Sequence, residues 1–151
     1  MIVRIGFAVA LLVLAGCSSA PPPPAANADP TTEAWYGKSV EELTAMNRQA
    51  RGLWDSGKAD QAADIITRGE TISTRLLGVP RPTLAAMGAA SDLDDLYARM
   101  LLSNHNYGWA RMMFQKNLAR WKNWQPQTPD TANRIKAANQ AIAECDRKML
   151  E

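Results

Sequence analysis

The sequence has 151 residues, enough for one domain, and its 17 Lys and Arg residues are nearly balanced by 15 Asp and Glu residues. It contains no dense basic stripe of the kind that neutralises phosphates, so no nucleic-acid partner is expected. One histidine and two cysteines are too few for a zinc-type site, and neither a metal nor a cofactor is expected.

The first 17 residues have the pattern of an exported, lipid-modified protein. Arg4 supplies a positive charge, and the apolar run 5–15 follows it. A bilayer-spanning helix needs roughly 20 apolar residues, so this shorter run suits the hydrophobic region of a signal peptide. The run ends in Leu14-Ala15-Gly16-Cys17. This segment resembles the lipobox of bacterial lipoproteins, in which an aliphatic residue and two small residues precede a cysteine.

The resemblance implies that residues 1–16 are removed and that Cys17 carries acyl chains. Each buried CH₂ contributes about 0.8 kcal/mol, and more than one chain makes anchoring stable. Ser18 is not the Asp that retains lipoproteins at the inner membrane, so the resemblance favours the periplasmic face of the outer membrane. An ordinary signal peptide is the alternative, but its nearest cleavage site would precede Pro21, whose ring would obstruct cleavage.

Residues 17–32 are interpreted as a tether. They contain five prolines, including Pro21–Pro24, among small and polar residues. Polyproline extends about 3.1 Å per residue, so roughly 15 residues reach up to about 45 Å. We expect this segment to remain unfolded and to hold the domain away from the lipid headgroups.

Residues 33–151 predict an all-α domain of two helical hairpins plus a C-terminal capping helix, because apolar residues recur with a helical period and no stretch alternates like a strand. In the first hairpin, Ser39 and Glu42 form a capping box that opens helix one. Gly57-Lys58 breaks that helix, and helix two is expected from Ala59 to Leu77.

The second hairpin follows a Pro/Gly segment. Residues 83–90 predict a loop or one short helix, and Ser91 is the expected cap of helix three. Three acids follow this cap, where the positive end of the helix dipole would stabilise them: Asp92, Asp94 and Asp95. Residues 104–106 predict a turn, and helix four is expected to run to about Trp124.

Thr128-Pro129 predicts the start of helix five, with Thr as the cap and Pro at the first helical position. The helix carries one narrow apolar stripe, which suits a lid over helices three and four: Ile135, Ala138, Ile142, Cys145 and Met149. On this stripe Cys145 is interpreted as a small buried hydrophobe, with a reactive thiol as the alternative.

The two hairpins resemble tetratricopeptide repeats. The segment 57–62 (Gly-Lys-Ala-Asp-Gln-Ala) is similar to the turn and second-helix start of that family, with small Ala50 and large Ile66 at family positions. Matching residues in the second hairpin are Ala98, Leu101, Tyr107, Ala110 and Phe114. The resemblance covers residues 39–77 and 91–124.

Three features depart from the family. Ala62 and Ala110 are 48 residues apart, against about 34 in the family, and the excess is assigned to the segment 78–90. Gln49 replaces a usual leucine, and the family's closing proline is missing. A generic helical bundle therefore remains the alternative.

The repeat resemblance implies a peptide-binding groove lined by the first helix of each hairpin. It directs five residues toward the ligand: Asn47, Arg51 and Trp54 from helix one, and Asp95 and Arg99 from helix three. Asn and Arg side chains hold a peptide backbone or a terminal carboxylate. The alternative interpretation is a solvated polar face.

Trp109 is a sixth candidate for partner binding. It is expected at the edge of helix four beside Lys116 and Arg120, whereas the other four tryptophans are expected mostly in the core. A flat aromatic ring beside cations binds sugars, peptides or acidic partners. A rim tryptophan that covers the hairpin seam is the alternative.

The expected function is that of a membrane-anchored adaptor that binds a protein or peptide of the cell envelope. The alternative is an accessory lipoprotein that binds a small molecule or glycan through exposed aromatics. No enzyme is expected, because His105 has no nucleophile at a diagnostic spacing and no phosphate-binding loop or Ser-His-Asp pattern is present.

Overall fold

The computed structural model describes residues 29–151, and within them five α-helices follow one another without a β-strand. After a 3-10 turn at Pro30–Thr32, the helices are α1 (Ala34–Asp55), α2 (Ala59–Leu77), α3 (Leu84–Ser103), α4 (Tyr107–Asn123) and α5 (Pro129–Lys148). The predicted all-α class is confirmed, and the domain is a small helical bundle. The proposed signal peptide, Cys17 and residues 18–28 of the tether lie outside the described residues.

Residues 30–32, predicted as the end of an unfolded tether, form a 3-10 turn. The Asp29 carboxylate accepts hydrogen bonds from the backbone N–H and the hydroxyl of Thr31, at 3.0 and 2.8 Å. These hydrogen bonds lower the pKa of Asp29. The Asp-Pro pair therefore acts as a local start signal, as the Thr-Pro pair does for α5.

The first helix starts earlier than its predicted cap. α1 begins at Ala34, so the capping box predicted at Ser39 is wrong, because that residue lies inside the helix. The cause is Tyr36, which is only 2% exposed. Its hydroxyl donates to the carbonyl of Leu76 at 3.4 Å and accepts from the backbone N–H of Thr83 at 3.1 Å. Burial of this side chain outweighs the local capping signal.

The third helix also starts earlier than predicted. Thr83 is its cap and accepts a hydrogen bond from the backbone N–H of Ala86 at 3.2 Å, so the cap predicted at Ser91 is wrong. Residues 84–90, predicted as a loop or short helix, form the first turns of α3. Small residues in these turns pack into the core: Ala86, Ala89 and Ala90.

Consequently the three acids that follow Ser91 do not sit at a helix start. Each is paired with an arginine: Asp92 with Arg134 at 2.6 Å, Asp94 with Arg120 at 2.9 Å, and Asp95 with Arg99 at 2.7 Å. The helix-dipole explanation for these acids is therefore wrong, and ion pairing replaces it.

The two hairpins are built alike with an offset of 48 residues. In each turn one residue has a positive φ, 79° at Gly57 and 61° at His105. The same pair of hydrogen bonds closes both turns onto the preceding helix: Gly57 N–H to Trp54 O and Lys58 N–H to Leu53 O, then His105 N–H to Leu102 O and Asn106 N–H to Leu101 O. The turn predicted at residues 104–106 is confirmed.

The matched interior positions of the hairpins are buried in both copies: Ala50 with Ala98, Ala62 with Ala110, and Ile66 with Phe114. Only residues 78–83 separate α2 from α3. The prediction that the extra length of the repeat lies in the segment 78–90 is therefore wrong. Much of the added length instead lies in long helices, with 22 residues in α1 and 20 in α3.

The helices pack in order along the chain, and α1 also contacts α3. At the C-terminal end, Cys145 and Ala141 of α5 pack with Ala98 of α3 and Phe114 of α4, which confirms the predicted lid. The stripe predicted for α5 ends sooner than expected, because Met149 is 47% exposed.

Gly69 of α2 lies close against side chains of both α1 and α3. A Cβ at this position would lie 2.9 Å from Leu93 Cδ2 and 3.3 Å from Leu43 Cδ1. We expect Gly69→Ala to lower the free energy of unfolding, because overpacking costs about 1–3 kcal/mol while the gain in helix propensity offsets about 1 kcal/mol. Urea denaturation followed by circular dichroism measures the change.

Gly52→Ala is the matched control, since a Cβ at Gly52 would meet nothing within 4 Å. That substitution should raise the free energy of unfolding by up to about 1 kcal/mol. Equal effects of the two substitutions would show that α2 is not closely packed at Gly69.

Candidate functional site

Three adjoining cavities run along one face of the bundle, between α1, α3 and α5. We call this face the central groove. The first cavity, of about 260 Å³, lies between α1 and α3 and is lined by Thr44, Asn47, Arg48, Arg51, Asp92 and Asp95. It brings residues predicted from separate helices to one site.

The other two cavities extend the central groove toward α5. The second, of about 160 Å³, is lined by Ser91, Asp92, Asp95, Arg99, Asn117, Trp121, Arg134, Ala137 and Ala138. The third, of about 380 Å³, is lined by Trp54, Arg99, Leu102, Ser103, His105, Tyr107, Glu144 and Lys148. Asp95 borders the first two cavities and Arg99 the last two, so α3 forms the continuous floor.

The structure brings five of the six predicted binding residues together in the central groove: Asn47, Arg51, Trp54, Asp95 and Arg99. Trp109 is not among them. It is 64% exposed on α4 and borders none of the three cavities.

The two cations expected beside Trp109 have a carboxylate partner of their own. Lys116 and Arg120 both pair with Asp94, at 3.1 and 2.9 Å. The other four tryptophans were expected mostly in the core. Trp121 is buried there, whereas Trp35, Trp54 and Trp124 are only half-buried.

Two arginines of the groove are held by carboxylates. Arg99 pairs with Asp95 one turn earlier on α3. Arg134 of α5 reaches Asp92 at 2.6 Å and Asp130 at 3.0 Å. Burial opposes the charge of Arg134, but its hydrogen bonds to the two carboxylates outweigh that effect and raise its pKa. Of these ion pairs, the one between Arg134 and Asp92 links α5 to α3.

Sequence reasoning missed Arg48 and the contribution of α5. A signal for Arg48 was present, because residues 44, 47, 48 and 51 follow the helical spacing of one face. The sequence offered no comparable indication for α5, because only its apolar stripe was used and its polar residues Arg134, Glu144 and Lys148 were not assigned to a site.

The third cavity has an aromatic wall. Trp54 lines it from α1, and the rings of His105 and Tyr107 lie 5.7 Å apart in an edge-to-face arrangement. Ser103 also lines this cavity, but its hydroxyl donates to the carbonyl of Met100 at 2.9 Å. A nucleophile–base hydrogen bond between Ser103 and His105 is thus not formed among the described residues.

Cys145 lies outside the groove and is fully buried. Burial, followed by the nearby carboxylates of Glu144 and Asp146, raises the pKa of its thiol. The interpretation of Cys145 as a small core residue is confirmed.

Residues 29–151 contain no group of three His, Cys, Asp or Glu side chains placed to hold a metal ion. In the same part of the chain, every helix is too short or too polar to cross a membrane.

Comparison with known proteins adds no assignment to the central groove. No family model matches the chain, and it has no match among curated proteins or solved structures. The chemistry of the groove is therefore inferred from its own residues.

Proposed function

We propose that this protein is a lipid-anchored protein of the cell envelope whose central groove binds an extended segment of a partner protein. The observation that carries the proposal is the convergence of five candidate residues from α1 and α3 on three adjoining cavities. The similar construction of the two hairpins supports the tetratricopeptide resemblance, in which the first helix of each hairpin faces a peptide.

The groove offers both polar and apolar contacts. The Asn47 amide donates to the carbonyl of Ala89 at 3.4 Å and keeps a second N–H and its oxygen for a peptide backbone. At the other end, Trp54, Leu102 and Tyr107 supply an apolar wall for an anchoring side chain. An extended segment engages both kinds of contact at once.

We propose that acyl chains on Cys17 hold this groove near the membrane, at the periplasmic face of the outer membrane. The described residues begin at Asp29, 12 residues after Cys17. A proline-rich segment of that length reaches up to about 37 Å at about 3.1 Å per residue. The groove is then free to meet partners near the membrane surface.

Replacing Cys17 with alanine is expected to remove the acyl chains and to leave residues 1–16 uncleaved, because no thioether forms; the protein is then lost from the outer-membrane fraction. Fractionation and mass spectrometry of the mature amino terminus measure both effects. Ser19→Ala is the control and should stay membrane-bound. A Cys17→Ala protein that remains membrane-bound with an unchanged mature mass would refute lipidation.

A photocrosslinking residue at position 47 is expected to capture a partner in intact cells, whereas the same residue at Arg68, which is exposed on α2, should not. Trp54→Ala should then weaken capture at position 47 severalfold, because it removes the apolar wall of the groove. Gels and mass spectrometry identify the adduct.

Equal capture at positions 47 and 68 would contradict binding in the groove. Loss of a small-molecule or glycan ligand through Trp109→Ala alone would favour the alternative function, that of an accessory lipoprotein with an exposed aromatic site.

A further inference from the structure

We propose that the segment bound in the central groove is acidic, and that its carboxylates lie against Arg48 and Arg51 in the first cavity. This inference rests on the proposed function, since it names the chemistry of the ligand of the same groove.

Arg48 and Arg51 are the two cations of the first cavity that lack a carboxylate partner. They lie one turn apart on α1, and both are exposed. No carboxylate of residues 29–151 lies within 4 Å of either guanidinium. Asp55, one turn beyond Arg51, is not within that distance either. Both guanidinium groups are therefore open to a carboxylate from outside the domain.

The acids on the opposite wall of this cavity already have partners. Asp92 is held by Arg134 at 2.6 Å and Asp95 by Arg99 at 2.7 Å. A cationic ligand would have to compete with these two ion pairs, whereas an acidic ligand displaces no pair within the domain. The first cavity therefore favours a negatively charged ligand over a positively charged one.

The other three cations that line the central groove already have carboxylate partners: Arg99 pairs with Asp95, Arg134 with Asp92 and Asp130, and Lys148 with Glu151. The positive charge open to an outside ligand is therefore that of Arg48 and Arg51, which attracts an acidic segment to the first cavity.

Arg51 is also positioned for this contact. Its guanidinium carbon lies 5.8 Å from the centre of the Trp54 ring. A cation–π contact at this distance leaves the guanidinium N–H groups free, and their fork matches a carboxylate with two parallel hydrogen bonds. Exposed ion pairs are individually weak, so the two arginines together are expected to change affinity severalfold.

The test is a selection of random 12-residue peptides, displayed on phage, on the lipidated mature protein in nanodiscs, with empty nanodiscs used to remove lipid binders. We expect enrichment of peptides that contain Asp and Glu. Versions of a selected peptide with every Glu and Asp replaced by Gln and Asn should bind at least fivefold more weakly by fluorescence polarisation. Binding should also weaken as salt concentration rises.

The double variant Arg48→Gln/Arg51→Gln should lose affinity for the acidic peptide by a similar factor and no longer distinguish it from its neutral version. Lys58→Gln/Arg68→Gln is the matched control, because it removes two exposed cations outside the groove and should bind like the wild type. Thermal unfolding of both variants verifies that they fold.

Each other outcome has a distinct meaning. Enrichment of neutral or basic peptides would overturn the acidic ligand while leaving the peptide-binding function standing. Acidic peptides whose binding survives the double variant would place the contact elsewhere and overturn the inference. No enrichment over empty nanodiscs would refute peptide binding by the groove itself.

Discussion

Replacing Trp121 with alanine is expected to lower the free energy of unfolding by about 3–5 kcal/mol, the usual cost of removing a large buried aromatic side chain. Trp121 is 2% exposed, and its indole N–H donates to the hydroxyl of Ser91 at 2.7 Å. The guanidinium of Arg134 lies 4.8 Å from its ring centre. The substitution thus loosens contacts of α4 with both α3 and α5.

Urea denaturation followed by circular dichroism measures this effect. Trp109→Ala is the control, because it removes the same side chain from a position that is 64% exposed and should change stability by about 0.5 kcal/mol or less. If both substitutions cost the same, Trp121 does not have the core role described above.

Replacing Asp94 with alanine is expected to cost a comparable amount, about 3–5 kcal/mol, because it leaves a buried charge without its partner. The side chains of Asp94 and Arg120 are only 5% and 8% exposed, and they pair at 2.9 Å. Lys116, which also contacts Asp94 at 3.1 Å, is half exposed and regains water easily. The penalty therefore comes mainly from Arg120.

A double substitution tests that cause. Arg120→Met added to Asp94→Ala removes the stranded charge and should recover part of the lost free energy of unfolding. Asp130→Ala is the control, since Asp130 is 67% exposed and Arg134 keeps its pair with Asp92, so the loss is expected to be less than about 1 kcal/mol. A single Asp94→Ala variant as stable as the Asp130→Ala variant would disprove the buried-charge account.

Both substitutions act on one buried polar network between α3 and α4. Ser91 and Asn117 exchange hydrogen bonds, each at 3.0 Å, and Arg120 links Asn117 to Asp94. Every buried polar side-chain atom of the described residues has a hydrogen-bond partner. Satisfied networks of this kind favour one arrangement of two helices. They thereby fix α3, which carries the floor of the central groove.

Several elements were predictable from the sequence because their signals are local. The bounds of α2 and the start of α5 follow from breakers and caps within a few residues, such as Gly57-Lys58 and Thr128-Pro129. The spacing of small and large residues supported the two hairpins, and the resemblance to tetratricopeptide repeats implied that five of the six candidate residues on α1 and α3 face one groove.

The sequence by itself thus determined the all-α class and the helix faces, since a period of 3.6 residues is present in any local window. Only the tertiary structure decided where α1 and α3 begin, which cations neutralise the acids of α3, and that α5 completes the groove. Those outcomes depend on partners far apart in the chain, such as Tyr36 with Leu76 and Asp92 with Arg134. Burial of a side chain such as Tyr36 outweighs a local capping preference, which is worth only about 1 kcal/mol.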